Sequence, residues 1–136
     1  MRRVRESLDW MRPCGPALVA QVLRQLSEKH PDTRALFPDQ PDLNKRLFAT
    51  LEQVVKNLSH YTVLEPALMN AGQAAIERGA RPEDFSAVRQ EMLDAFQRLS
   101  GDDWTHELQH DWGFVLDAVA GTMLRASEAS QKRMAA

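Results

Sequence analysis

A chain of 136 residues, 43% apolar and 26% charged, has ordinary soluble composition and forms one domain able to bury its own core. A net charge of −2 excludes the basic footprint of a nucleic-acid binder, and no apolar run approaches the roughly 18 residues of a membrane span. The single cysteine, Cys14, excludes an internal disulfide, and no apolar stretch follows the basic MRRVRESLDW to make a secretory signal, so a cytoplasmic location is expected.

Apolar residues recur at helical spacing almost throughout, and no stretch alternates as a strand does. Val4, Leu8 and Met11 predict a short first helix stopped by Pro13. Ala17, Leu18, Val22 and Leu26 predict a second, ending before His30-Pro31. The segment PDTRALFPDQPD, with three prolines, allows only a short helical turn from Asp32 to Leu36. Asp42 is placed to cap the next helix, striped by Leu43, Leu47, Leu51, Val54, Val55 and Leu58. His60-Tyr61-Thr62 breaks that stripe. An alanine-rich helix follows from Leu64 to Arg78 and stops at Gly79.

ARPEDF opens a further helix, with Pro82 in its first turn and Glu83 and Asp84 at the positive end of the dipole. Its stripe is Phe85, Val88, Met92, Phe96 and Leu99, ended by Ser100-Gly101. Trp104, Leu108, Trp112, Val115, Val119 and Met123 stripe the last helix. Residues 124–136 lose the apolar face and are expected to fray as a polar tail, leaving a single domain over residues 1–123. The expected class is all-α.

The stretch HELQHDWG, starting at His106, contains the H-E-x-x-H signature of zinc peptidases. That chemistry needs two His side chains one turn apart, a Glu between them as general base, and a third protein ligand. Only the spacing is met. At 100° per residue, His106 and His110 point roughly 155–165° from the centre of the Trp104–Val119 stripe, so they face water if the stripe faces the core. A third His would fall at Leu116, and the alternative ligand, Glu128, lies in the tail. The pair is read as a weak surface metal site at most, and the zinc hydrolase is set aside. No nucleophile with a base, buried acid pair or glycine-rich phosphate loop is evident either, so no catalytic residue is assigned.

From Val4 to Met123 the order of segments resembles the bacterial single-domain haemoglobins and flavohaemoglobins. HPDTRALFPD resembles that family's turn from second to third helix. LNKRLFATL resembles the start of its distal helix, ERGARPEDF the link following its proximal helix, and GDDWTHELQHDWG the lead into its final helix. The resemblance implies a globin fold of about six to seven helices, with a first helix shorter than usual. It places Phe37 at the aromatic that packs on haem. It places Ala75 at the proximal histidine, four residues before Gly79, where alanine has no lone pair for iron. Leu43 falls at the distal Gln or His and Leu47 at the neighbouring apolar gate. Leu23 falls at the tyrosine that often bonds oxygen, and Phe85 at the tyrosine that helps orient the proximal histidine. Met69 lies nearly two turns before Ala75 and is misplaced as a substitute ligand. The aromatic wedge is kept, while the ligand and the residues that tune it are replaced together.

A globin that lost haem and kept the void would carry a cavity of roughly 300–1,000 Å³. At about 24 cal/mol per Å³ even the low end costs on the order of 7 kcal/mol, against a total stability of about 5–15 kcal/mol. The void is therefore filled, either by collapse of side chains such as Leu43, Leu47, Phe48, Leu68, Met69, Met92 and Phe96, which is the plainer expectation, or by an apolar ligand. No cofactor is expected, with haem under unusual ligation as the alternative. The function expected is a haem-independent regulatory, sensory or interaction domain, a homodimer or other protein being its partner; an oxygen- or nitric-oxide-binding haemoglobin is the alternative. Neither nucleic acid nor membrane is expected as a partner.

Overall fold

A computed structural model describes residues 2–37 and 40–135, with side chains through Arg125. Six α-helices are present among the described residues: α1 (Arg2–Met11), α2 (Gly15–Lys29), α3 (Leu43–Lys56), α4 (Glu65–Glu77), α5 (Pro82–Ser100) and α6 (His106–Ala135). Short 3-10 turns, Arg12–Cys14, Pro31–Leu36, Leu58–Val63 and Gly101–Asp103, lie between them, and no strand occurs among the described residues. The breakers act where chain chemistry says they should. Proline sits in the first turn of α2, α4 and α5, where its missing N–H costs nothing. Gly79, at φ 103°, ends α4, with its own N–H donating to the Ile76 carbonyl and that of Ala80 to Ala75. At the start of α5 the Arg81 N–H donates to Asp84 Oδ2 at 2.9 Å.

Two boundaries differ from expectation. Asp42 precedes α3 but makes no side-chain cap, because it takes a left-handed conformation (φ 55°) rather than the extended one a capping side chain needs. The final helix does not stop near Met123: its backbone is helical to Ala135. Ala, Glu, Gln, Lys and Arg continue a helix once its packed portion has nucleated it. The side chains of the expected tail beyond Arg125 lie outside the described residues.

α2 packs across α3 and α5, α5 lies on α6, and the longest contact joins α4 to α6. The main core gathers apolar residues of α1, α2, α3, α5 and α6, whereas Phe85 and Met123 of the expected stripes pack in a second cluster and Leu99 is exposed. At its centre Trp112 is fully buried, its ring 4.7 Å from that of Phe96 at 50°. Its indole N–H donates to Ser7 Oγ at 2.7 Å, and Ser7 donates in turn to the Val4 carbonyl at 2.8 Å. α3 and α4 are joined through the Leu58–Val63 turn rather than packed on each other.

The seating of α4 depends on Gly72. A Cβ there would lie 2.7 Å from the Met123 Cα, backbone that cannot rotate away. Gly72→Ala gains about 1 kcal/mol of helix propensity but forces the two helices apart, an overpacking cost of about 1–3 kcal/mol or more. The clash is expected to win, lowering the Tm by a few degrees. A thermal melt showing an unchanged or higher Tm would mean that α4 and α6 do not approach this closely.

Candidate functional site

The seven positions that the family resemblance assigns to a haem pocket do not surround one space. They divide between a sealed cluster and a cleft, and two, Leu47 and Met69, are left outside both.

The sealed cluster holds Ala75 and Phe85. Ala75 is 0% exposed, so no water-sized space adjoins its methyl group. It packs in a small apolar cluster with Ala80 and Phe85, flanked by Ala35, Leu36, Ile76, Ala120, Met123 and Leu124. Four segments meet there: the Pro31–Leu36 turn, the end of α4, the start of α5 and the later part of α6. Arg78 holds the arrangement closed. Its Nε donates to the Ala35 carbonyl at 2.8 Å and its Nη2 to the Leu36 carbonyl at 3.1 Å. Both acceptors end the 3-10 turn and have no partner further along it, so the guanidinium satisfies them while pinning the turn to α4.

The cleft, of about 460 Å³, is lined by Leu23, Leu26, Ser27, Pro31, Thr33, Arg34, Phe37 and Leu43. It lies between the second half of α2, the Pro31–Leu36 turn and the first residue of α3. Leu23, Phe37 and Leu43 were expected at a haem pocket and do meet here. Among the described residues, none of the lining comes from α4 or α5, and none carries an imidazole, thiol or thioether. A smaller cleft of about 290 Å³, lined by Pro16, Asp42, Leu43, Asn44 and Lys45, shares Leu43 with it. Leu26 and Thr33 underlie it but are each only 2% exposed, whereas Ser27, Pro31 and Arg34 are exposed at the rim. The Thr33 hydroxyl is already committed, donating to the His30 carbonyl at 2.7 Å.

The remaining candidates lie elsewhere. Leu47 is half-buried on α3. Met69 does not line the cleft, nor does it fill space as the collapse reading expected. It is 37% exposed on α4, because Leu68, Gly72 and Ala75 are the residues that helix buries. Of the other proposed fillers, Phe48, Leu68 and Phe96 are buried, and Met92 packs half-buried on the core. His30 and His60 are exposed. So are His106, Glu107 and His110, while Leu116 is buried on the opposite side of α6. The Glu128 side chain lies outside the described residues. Among the described residues no cluster of three or more His, Cys, Asp or Glu is placed to hold a metal.

At the position that the resemblance matches to the proximal histidine the side chain is a methyl group, which offers no axial donor for haem iron and faces packed side chains rather than a cavity. Sequence reasoning missed Leu26, Ser27, Pro31, Thr33 and Arg34 as cleft residues, and Arg78 as the clamp. Helical periodicity marked Leu26 as core. Nothing in the spacing of Arg34 or Arg78 distinguishes them from solvated surface arginines.

The Globin family model matches residues 20–123 of this chain. Among solved structures, an engineered carbene transferase, named as a putative nitric oxide dioxygenase from Rhodothermus marinus, is similar in fold with a TM-score of 0.84 and 22% identity, covering 99% of this chain and 95% of that one. The order of six helices, the proline-bounded turn leading to Phe37 and the match over most of the chain agree, and the chain belongs to the globin family.

Proposed function

We propose that this globin domain works without haem, as a regulatory, sensory or interaction module whose pocket no longer serves iron chemistry. The observation that carries the reading is the full burial of Ala75 within its own apolar cluster. A haem iron needs an axial donor about 2 Å away, and a tuned second layer behind that donor. Here the position matched to the donor has no lone pair, and the position matched to its orienting tyrosine is Phe85, packed in the same cluster. No nucleophile paired with a base and no metal-ligating cluster replaces it among the described residues. A module of this kind acts through a surface, toward a second copy or another protein.

The alternative is a haem-containing globin with atypical ligation, favoured by membership of the family and by the similarity to a dioxygenase-type globin. Its imidazole would have to come from His30 or His60, both exposed and neither bordering the cleft. The freshly purified protein is expected to show no Soret absorption and to gain none on titration with haemin. A stoichiometric Soret band with reversible oxygen-dependent spectra would overturn the proposal.

A further inference from the structure

We infer that the cleft between α2, the Pro31–Leu36 turn and α3 binds an apolar monocarboxylate, its hydrocarbon chain against Leu23, Phe37 and Leu43 and its carboxylate at Arg34. The inference rests on the haem-independent reading, since it uses the half of the ancestral pocket that stays open.

Three observations converge. The first is size. A volume of about 460 Å³ falls within the range of small-molecule sites, roughly 300–1,000 Å³. The second is polarity by depth. The half-buried apolar side chains of Leu23, Phe37 and Leu43 form the wall, and the polar groups Ser27 and Arg34 stand exposed at the rim. A ligand must therefore be apolar at one end and polar at the other. The third is charge. Among the described residues the one charged residue of the lining is Arg34, a permanent cation whose planar fork suits a carboxylate, and the Ser27 hydroxyl of the same lining is a further donor. Cationic amphiphiles are disfavoured by the same group.

The sealing of Ala75 sets the shape of the ligand. Because no described lining residue comes from α4 or α5, a broad planar ring system has no second wall to lie between. A flexible aliphatic chain can follow the groove from Arg34 toward Leu43. The exposed rim allows the headgroup to keep part of its hydration, so the charge is worth a modest factor in affinity rather than a decisive one.

The test is calorimetric titration of the full chain with dodecanoate below its micellar concentration, with dodecanol and dodecylamine as matched probes. Saturable binding of one dodecanoate per chain is expected, with dodecanol weaker and dodecylamine weakest. Arg34→Glu is expected to lower dodecanoate affinity about five- to tenfold while leaving dodecanol nearly unchanged. Leu23→Trp, which fills the groove with an indole, is expected to abolish binding of both. Circular dichroism and a thermal melt of each variant separate lost binding from lost folding; if Leu23→Trp does not fold, Leu43→Phe is used in its place. No saturable binding by the folded wild-type chain, or binding indifferent to both groove and charge variants, would overturn the inference. A haemin titration in parallel separates the two readings. No Soret band and no dodecanoate binding sinks only the ligand, whereas a stoichiometric Soret band sinks the haem-independent reading as well.

Discussion

Replacing Ala75 by His is expected to destabilise the protein by several kcal/mol and still to bring no Soret band when haemin is added. The methyl group of Ala75 is fully buried and ringed by Phe85, Leu36, Ile76 and Met123. An imidazole has no space there. Forcing it in displaces packed side chains, at about 1–3 kcal/mol, and leaves ring nitrogens without partners, at about 1–3 kcal/mol more. Together these approach the lower end of a small domain's stability of about 5–15 kcal/mol. Chemical denaturation would measure the loss, and a visible spectrum after haemin titration the ligation. A variant as stable as the parent that acquires a stoichiometric Soret band would mean that the cluster opens on demand and that a single substitution had silenced an otherwise intact haem site. Failure to bind haem is the expected result because Arg78 would still tie the turn to α4.

Trp112→Ala is expected to have the largest effect on stability, about 3–5 kcal/mol, and to leave little folded protein at physiological temperature if the domain is of ordinary stability. Trp112 is completely buried between α1 and α5, beside the Phe96 ring. Removing the indole opens a cavity and takes away the donor to Ser7 Oγ. Ser7 keeps one bond, to the Val4 carbonyl, so the hydroxyl is not orphaned outright. Trp112→Phe helps to separate the two contributions: it loses the hydrogen bond but leaves a much smaller cavity than Trp112→Ala. A double-mutant cycle with Ser7→Ala is expected to give a coupling of about 1 kcal/mol. Trp112→Ala melting within a degree or two of the parent would show that α6 is not anchored through this residue.

These effects bear on how much of the protein could be read from its sequence. The helix order was legible because the signals are local: Pro82 with its acidic first turn, Gly79 and Gly101 as stops, and apolar residues three or four apart. The one helix end that was misjudged, beyond Met123, depended on judging fraying from the loss of an apolar face, whereas the backbone continues to Ala135. Asp42 was misjudged as a cap because residue type predicts capping only when the backbone is extended there, and a left-handed conformation is not written in one side chain. Leu23, Phe37 and Leu43 were recognised by resemblance and do meet at one cleft. Met69 was misplaced because α4 presents Leu68 and Gly72 inward instead.

By itself the sequence determined the all-α class, the positions of the turns, the apolar stripe that carries Trp112 and the absence of a side-chain lone pair at residue 75. Those properties follow from side-chain chemistry and from interactions spanning a few residues. Only the tertiary structure decided that the pocket positions would part company, with Ala75 and Phe85 sealed away and Leu23, Phe37 and Leu43 left around a cleft. That outcome turns on where the axis of α4 comes to rest, which a glycine meeting the backbone of a helix some fifty residues later and an arginine reaching two carbonyls some forty residues earlier set together. Contacts at such separation have no period and leave no local mark in the chain.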